Sequence, residues 1–270
     1  MPRPKATRKK KARPKAAKVR RKPSRKVPGK ARTAGKPGPS RIAIISDTHS
    51  NMEALEAVFR HIRKQKGVLK VMCAGDVIGY GPNPNECCEA IRKLDIPVAQ
   101  GNHDLNIDLR NIGWFNRDAQ AALAWTSGEI TQKNRNWLLG LPMVHKERLQ
   151  GVTIYMVHGS PEDPHYEYTT EETPKYVMKH WLDETGSDVI VVGHTHRPFI
   201  RRIGGKLVIN AGSVSQPRDG DPRACYVLLD LKEMKAEIVR VPYNIDLHAE
   251  KIRRIAALPG SLADRLYDGV

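Results

Sequence analysis

Residues 41–49 read RIAIISDTH, and the fold turns on how this stretch is parsed. Ile42, Ala43, Ile44 and Ile45 form an unbroken apolar run, rich in β-branched side chains and too short for a helix. A strand wet on one face alternates apolar and polar residues, whereas an uninterrupted run belongs to a strand covered on both faces. The run ends at Ser46, and a polar loop, Asp47-Thr48-His49, follows at its carboxyl end. Beyond that loop Met52, Leu55, Val58, Phe59 and Ile62 recur at helical spacing, with Gly67 as the stop signal. Val68 to Cys73 reads as a second buried strand, followed by a Gly- and Pro-rich loop through Asn85. Residues 86–94 are expected to be helical and Ile96 to Gln100 to form a third strand. Residues 115–139 read as mostly helical, with Ser127 as an N-cap.

Further along, Pro174 marks a helix start and Thr185-Gly186 its end. Strands are expected at 143–149, 152–157, 188–192, 198–203, 206–210, 224–230 and 235–241. Gln150-Gly151 and Gly204-Gly205 have the two-residue spacing of hairpin turns. A β-α-β-α-β half followed by an antiparallel half predicts an α/β (α+β) domain of two sheets flanked by helices.

On the N-terminal side the composition changes abruptly. The 270-residue chain carries a formal net charge of +17, and residues 1–39 hold 17 Lys and Arg and no acid. Residues 40–270 are therefore a neutral body. With seven prolines and almost no large aliphatic side chains, residues 1–39 are expected to be a disordered arm. No run approaches the roughly 18 apolar residues of a membrane span, which excludes an integral membrane protein. The first 30 residues lack an apolar segment of the secretory-signal type. Cys73, Cys87, Cys88 and Cys225 form no CxxC pair and fit inert, reduced thiols in a cytoplasmic protein.

Five loops, each placed after a buried strand, carry metal-type ligands: Asp47-Thr48-His49, Gly75-Asp76, Gly101-Asn102-His103-Asp104, His158-Gly159 and Gly193-His194-Thr195-His196. Singly each is weak, because Gly-Asp is common turn chemistry and a lone strand-end His is ordinarily satisfied by backbone. Together they point to one crevice, since loops beyond the carboxyl ends of strands converge in open α/β sheets. Carboxylate, imidazole and amide oxygen suit Mn, Fe, Zn, Ni or Co better than Ca or Mg. The absence of Cys from the set disfavours a structural zinc.

This ordered set, D-x-H, G-D, G-N-H-D, H, G-H-x-H, resembles the signature of calcineurin-like metallophosphoesterases. The strings GDVIGYGPNP and GSVSQPRDGDPRA are similar to its small prokaryotic phosphodiesterase branch. The resemblance runs from about Arg41 to Val241 and leaves out the arm. It implies a four-layer αββα sandwich of two mixed sheets over residues 40–270. It implies two divalent transition metal ions, manganese first among them, with Asp47, His49, Asp76 and His196 on one and Asp76, Asn102, His158 and His194 on the other. A hydroxide bridging them would attack a phosphate ester, His103 would serve as general acid, and Asp104 would orient His103 or raise its pKa.

One departure bears on substrate. Serine/threonine protein phosphatases of the superfamily carry GDxxDRG, and here Gly79-Tyr80 replaces the Asp-Arg pair. Phosphodiesters are therefore expected over phosphoproteins, with Arg197, Arg218 and Arg223 as candidate phosphate ligands. The competing reading is a nucleic-acid-binding protein acting through residues 1–39, with nuclease or nucleotide phosphatase activity or a silent body, and with nucleoid or nuclear association. Only 15 residues of the chain are aromatic, and no basic stripe interleaved with aromatics is apparent in the body. The oligomeric state is not legible.

Overall fold

A computed structural model describes residues 38–270. The expected disorder of the arm falls outside these residues. The elements run β1 (Arg41–Ile45), α1 (Met52–Ile62), β2 (Val68–Cys73), α2 (Pro84–Lys93), a short α3 (Asn102–Leu105), α4 (Arg117–Glu129), α5 (Gln132–Leu139), β3 (Val144–Leu149) and β4 (Val152–Val157). They continue with α6 (Lys175–Glu184), β5 (Val189–Val192), β6 (Phe199–Ile203), β7 (Lys206–Asn210), β8 (Ala224–Asp230), β9 (Lys235–Val241), α7 (Ile245–Arg253) and α8 (Ser261–Asp268). Two 3₁₀ turns, Asn106–Asp108 and Ile112–Trp114, lie between α3 and α4.

The strands form two mixed sheets, ordered β2-β1-β8-β9 and β3-β4-β5-β7-β6. In the first, β1 pairs parallel with β2 and antiparallel with β8. In the second, β4, β5 and β7 are parallel, with antiparallel hairpins β3-β4 and β6-β7 closing the edges. The unbroken apolar character of RIAII now has its cause. Ile42 and Ile44 point between the sheets, against Ile154, Met156, Val189 and Val191. Ala43 and Ile45 point the other way, under Leu55, Val58 and Ile62 of α1. On the far side α6 buries Met178, Trp181 and Leu182 against Ile190, Val192 and Val208. Layers therefore stack as helix, sheet, sheet, helix, the predicted sandwich. Trp181 is fully buried and its indole N–H donates to Glu162 at 2.9 Å, so Trp181→Ala costs about 3–5 kcal/mol.

Four expectations are corrected. Residues 96–100 do not form a strand: only one parallel bridge, Cys73 to Val98, survives. Pro97 has no N–H to give the ladder, and the Gln100 N–H turns away to the Pro142 carbonyl at 2.8 Å. Ser127 is no N-cap but lies inside α4; the caps are Asn116, which accepts from Ala119 N–H, and Thr131, which accepts from Asn134 N–H. The second half is not a self-contained antiparallel unit, because the β8-β9 hairpin crosses back to pair with β1. Beyond Val241, where no element was expected, α7 and α8 pack on α4 and cover Tyr80. Among the described residues no helix is long and apolar enough to cross a membrane.

Candidate metal centre and its pocket

The carboxyl ends of β1, β2, β4 and β5 lie side by side, so the loops leaving them meet, and backbone bonds lock them together. Asp47 N–H donates to Gly75 O, His49 N–H to Asp76 O and Ser50 N–H to Val77 O, each at 3.0 Å. The Val77 and Ile78 amides donate to Asp104 Oδ1, and the Gly101 amide donates to Asp104 Oδ2. Asp104 was expected to orient His103 or raise its pKa; both its carboxylate oxygens instead accept from loop amides. Burial and the nearby Asp76 carboxylate push Asp104 up to about 7 against those donors.

Five of the seven candidate ligands, Asp47, His49, Asp76, His194 and His196, hold left-handed backbone with φ between 46° and 65°. Each costs an L-residue about 1–2 kcal/mol, and such strain gathers where side chains must be aimed rather than where packing alone decides. Gly101 has the complementary reason to be glycine: a Cβ there would stand 2.7 Å from Asp76 Cγ.

The side chains converge into overlapping groups. Asp47, His49 and His196 form one, Asp76, His158 and His194 another, and His49, Asp76 and His103 a third, with ligand atoms in each within 4.8 Å of one another. Asn102 joins the second group, its Oδ1 lying 3.1 Å from His158 Nε2. Asp76 Oδ2 is 3.2 Å from His158 Nε2 and 3.7 Å from His49 Nε2, so it faces both sides.

Charge and hydrogen bonding in the first group decide what it fits. His49 Nδ1 faces Ile78 O at 3.0 Å and His196 Nδ1 faces Gln216 O at 2.6 Å. Carbonyls only accept, so each Nδ1 carries the ring proton, and in the neutral rings both Nε2 atoms are lone pairs. Those atoms are 3.0 Å apart, with Asp47 Oδ1 3.2 Å from one and 3.6 Å from the other. Asp47 Oδ1 is buried and accepts no hydrogen bond among the described residues. Two lone pairs and an orphaned carboxylate oxygen aimed at one point repel unless a cation stands among them, and this donor set fits a divalent transition metal. Burial and then the Arg218 guanidinium hold His196 down to about 3. On the other side burial and then His158 hold His194 down to about 4. His158 itself is pushed up to about 10, because Asp76 outweighs its burial.

The cluster forms the floor of a pocket of about 640 Å³. His103 lines it, its ring packed between His49, Tyr80 and Phe115 at centroid distances of 4.7–4.8 Å, while burial holds it well below its ordinary pKa. Of the three candidate arginines only Arg218 lines the pocket, delivered by the β7-β8 loop and anchored by its N–H on His196 O. Arg223 pairs with Asp221 instead. Tyr80, Trp114, Phe115, Tyr166 and Tyr168 around the pocket were not found from sequence; aromatic residues in loops carry no periodic signal. All four cysteines are buried with thiols pushed up, matching inert thiols.

At one end of the two-sheet sandwich, Asp, Asn and His side chains thus gather from the loops into a candidate metal centre. The chain belongs to the calcineurin-like phosphoesterase superfamily, whose domain model matches residues 41–234. It is 39% identical over 248 residues to protein MJ0912 of Methanocaldococcus jannaschii, covering 85% of this chain and 98% of that one. It is 28% identical over 200 residues to the phosphodiesterase YfcE of Escherichia coli K12, covering 70% and 87% of the two chains. Among solved structures, the metallophosphoesterase from Sphaerobacter thermophilus superposes with a TM-score of 0.72 at 33% identity, covering 86% of this chain and all of that one.

Proposed function

We propose that the protein hydrolyses phosphodiesters at a dinuclear centre, with Asp47, His49, Asp76 and His196 holding one cation and Asp76, Asn102, His158 and His194 the other. The single observation that carries this is the pair of Nε2 lone pairs 3.0 Å apart over the orphaned Asp47 Oδ1. Bound there, two divalent ions, manganese first and Fe, Ni, Zn or Co as alternatives, supply Lewis acidity toward phosphoryl oxygens and lower the pKa of a water.

The chain's own residues do the rest. Asp76, facing both groups, sets the separation of the two sites. Arg218 offers a guanidinium to a non-bridging phosphate oxygen. His103 donates a proton at Nε2 to the leaving oxygen. Burial keeps that ring neutral by itself, and a substrate phosphate is the opposite charge that draws the proton onto it. Preference for diesters over phosphoproteins finds support in Gly79-Tyr80, where protein phosphatases have Asp-Arg, and in the name of the E. coli relative.

The test is metal analysis with anomalous scattering after Mn²⁺ reconstitution, joined to a panel of diesters, monoesters and phosphoserine peptides. Finding no metal at these side chains, or phosphopeptides turned over faster than diesters, refutes the corresponding part. A second function, nucleic-acid binding by residues 1–39, is favoured by their 17 positive charges without an acid.

A further inference from the structure

The pocket is far larger than a phosphate group needs, and its walls differ in kind from its floor. At about 640 Å³ it has the volume of a site for a ligand of nucleotide size. One wall starts at His103, where Phe115 packs edge-on at 4.8 Å. Trp114, the next residue out, stands 87% exposed on a 3₁₀ turn that buries none of its residues. A second wall starts at His194, on which Tyr168 stacks at 4.4 Å and 22° while itself 62% exposed. Two large aromatic rings left in water beside one polar pocket offer flat apolar faces on which a planar group can stack. Between the rings stand polar amides. Asn111 lines the pocket and does not cap its own turn, so its amide can both donate and accept. Asn116 Oδ1 accepts from Ala119 N–H, which leaves its NH₂ as a donor at the rim.

A substrate matching this layout carries a phosphate ester and, on the same molecule, a planar ring with hydrogen-bonding edges. We propose that the site takes nucleotide phosphodiesters, with the base lying against Trp114 at the pocket mouth and read at its edge by Asn111. This rests on the phosphodiesterase reading above. A lipid phosphodiester would cover the rings but leave the amides unpaired; a phosphoserine residue carries no planar ring of its own.

Two esters with one leaving group test the idea: the p-nitrophenyl ester of thymidine 5′-phosphate and methyl p-nitrophenyl phosphate, with metal-reconstituted full-length protein. Base–aromatic stacking predicts kcat/KM higher for the nucleotide ester by about 5- to 150-fold. Trp114→Ala should collapse that ratio, and Trp114→Phe, which keeps a ring, should retain most of it. Trp114 is exposed, so neither variant disturbs the core. Tryptophan fluorescence supplies a readout independent of turnover: adenosine 5′-monophosphate should quench it at concentrations where ribose 5-phosphate does not, and Trp114→Ala should abolish the difference. Hydrolysis of the methyl ester with no nucleotide preference, or a preference that survives Trp114→Ala, overturns the base site and leaves the hydrolytic reading standing. Turnover of neither ester by metal-loaded protein overturns the hydrolytic reading, and the fluorescence titration then decides the base site alone.

Discussion

Gly79→Ala reaches the proposed general acid without touching a single candidate metal ligand. Gly79 holds φ +106°, where a side chain is strained, and a Cβ built there would lie 3.1 Å from His103 Cγ and 3.2 Å from Cε1, overlapping Nδ1. Carbon–carbon contacts are comfortable at about 3.5–4.0 Å, so the ring must recede by roughly half an ångström to an ångström. Tyr80 and Phe115 at 4.8 Å and His49 at 4.7 Å bound it, and the pocket it lines is its open side. A displacement of that order at a reacting group costs about 10²-fold in rate. Backbone strain adds about 1–3 kcal/mol of destabilisation, which for a domain this size lowers Tm by roughly 3–10 °C. The assay compares kcat on an alkyl diester, whose leaving oxygen needs a proton, with kcat on a nitrophenyl diester, which leaves unaided. The alkyl rate should fall about 100-fold and the nitrophenyl rate much less, with metal content kept and melting still cooperative. A folded, metal-loaded variant that cleaves the alkyl ester at the wild-type rate, or loses both activities equally, refutes the placement of His103 as acid.

Four further outcomes are expected. Asp76→Asn, which removes charge from the one carboxylate facing both ligand groups, should lose both ions together by elemental analysis; retention of two metals per chain argues against the shared role. Arg218→Ala should raise KM for diesters while Arg223→Ala, whose guanidinium is paired with Asp221, should not; equal effects would remove Arg218 from the phosphate. Deleting residues 1–39 should abolish binding of DNA and RNA in a low-salt shift assay yet keep esterase turnover. In the full chain that binding should weaken about 10³- to 10⁵-fold between 50 and 200 mM salt. Glu53, linked to His248 at 2.9 Å and to Lys251, is held down to about 2 because those partners outweigh its burial. A depressed carboxyl stabilises the fold above its ordinary value of 4.5 and loses that contribution as pH falls toward 2. Glu53→Gln should therefore flatten the decline of Tm over that window, and an unchanged slope would count against the pairing.

Much of this protein could be read from the chain alone. The unbroken apolar run at 42–45 implies cover on both faces, which in turn requires layers on either side of the sheet, and that inference needs no coordinates. Strand bounds from 144 to 241 follow from alternation and from Gln150-Gly151 and Gly204-Gly205, because period and turn chemistry are local properties. The candidate ligands are legible because their order along the chain resembles the calcineurin-like signature, and all but Asn102 follow a strand end. Where a local rule met a tertiary choice, reading stopped. Residues 96–100 have strand composition, yet Pro97 and the pull of Pro142 O leave a single bridge. Nothing in β8 itself says that it pairs with β1, since sheet order is decided by which buried faces meet, here between partners such as Ile44 and Val227 that lie far apart in the chain. Asp104 beside His103 in sequence looks like its partner, but the turn at Gly101 sends its carboxylate to backbone amides instead. The aromatic walls, the choice of Arg218 among three arginines, and the cover that α7 and α8 give Tyr80 are set by the tertiary structure alone, because a loop residue's neighbours lie far away in sequence and its own spacing carries no record of them.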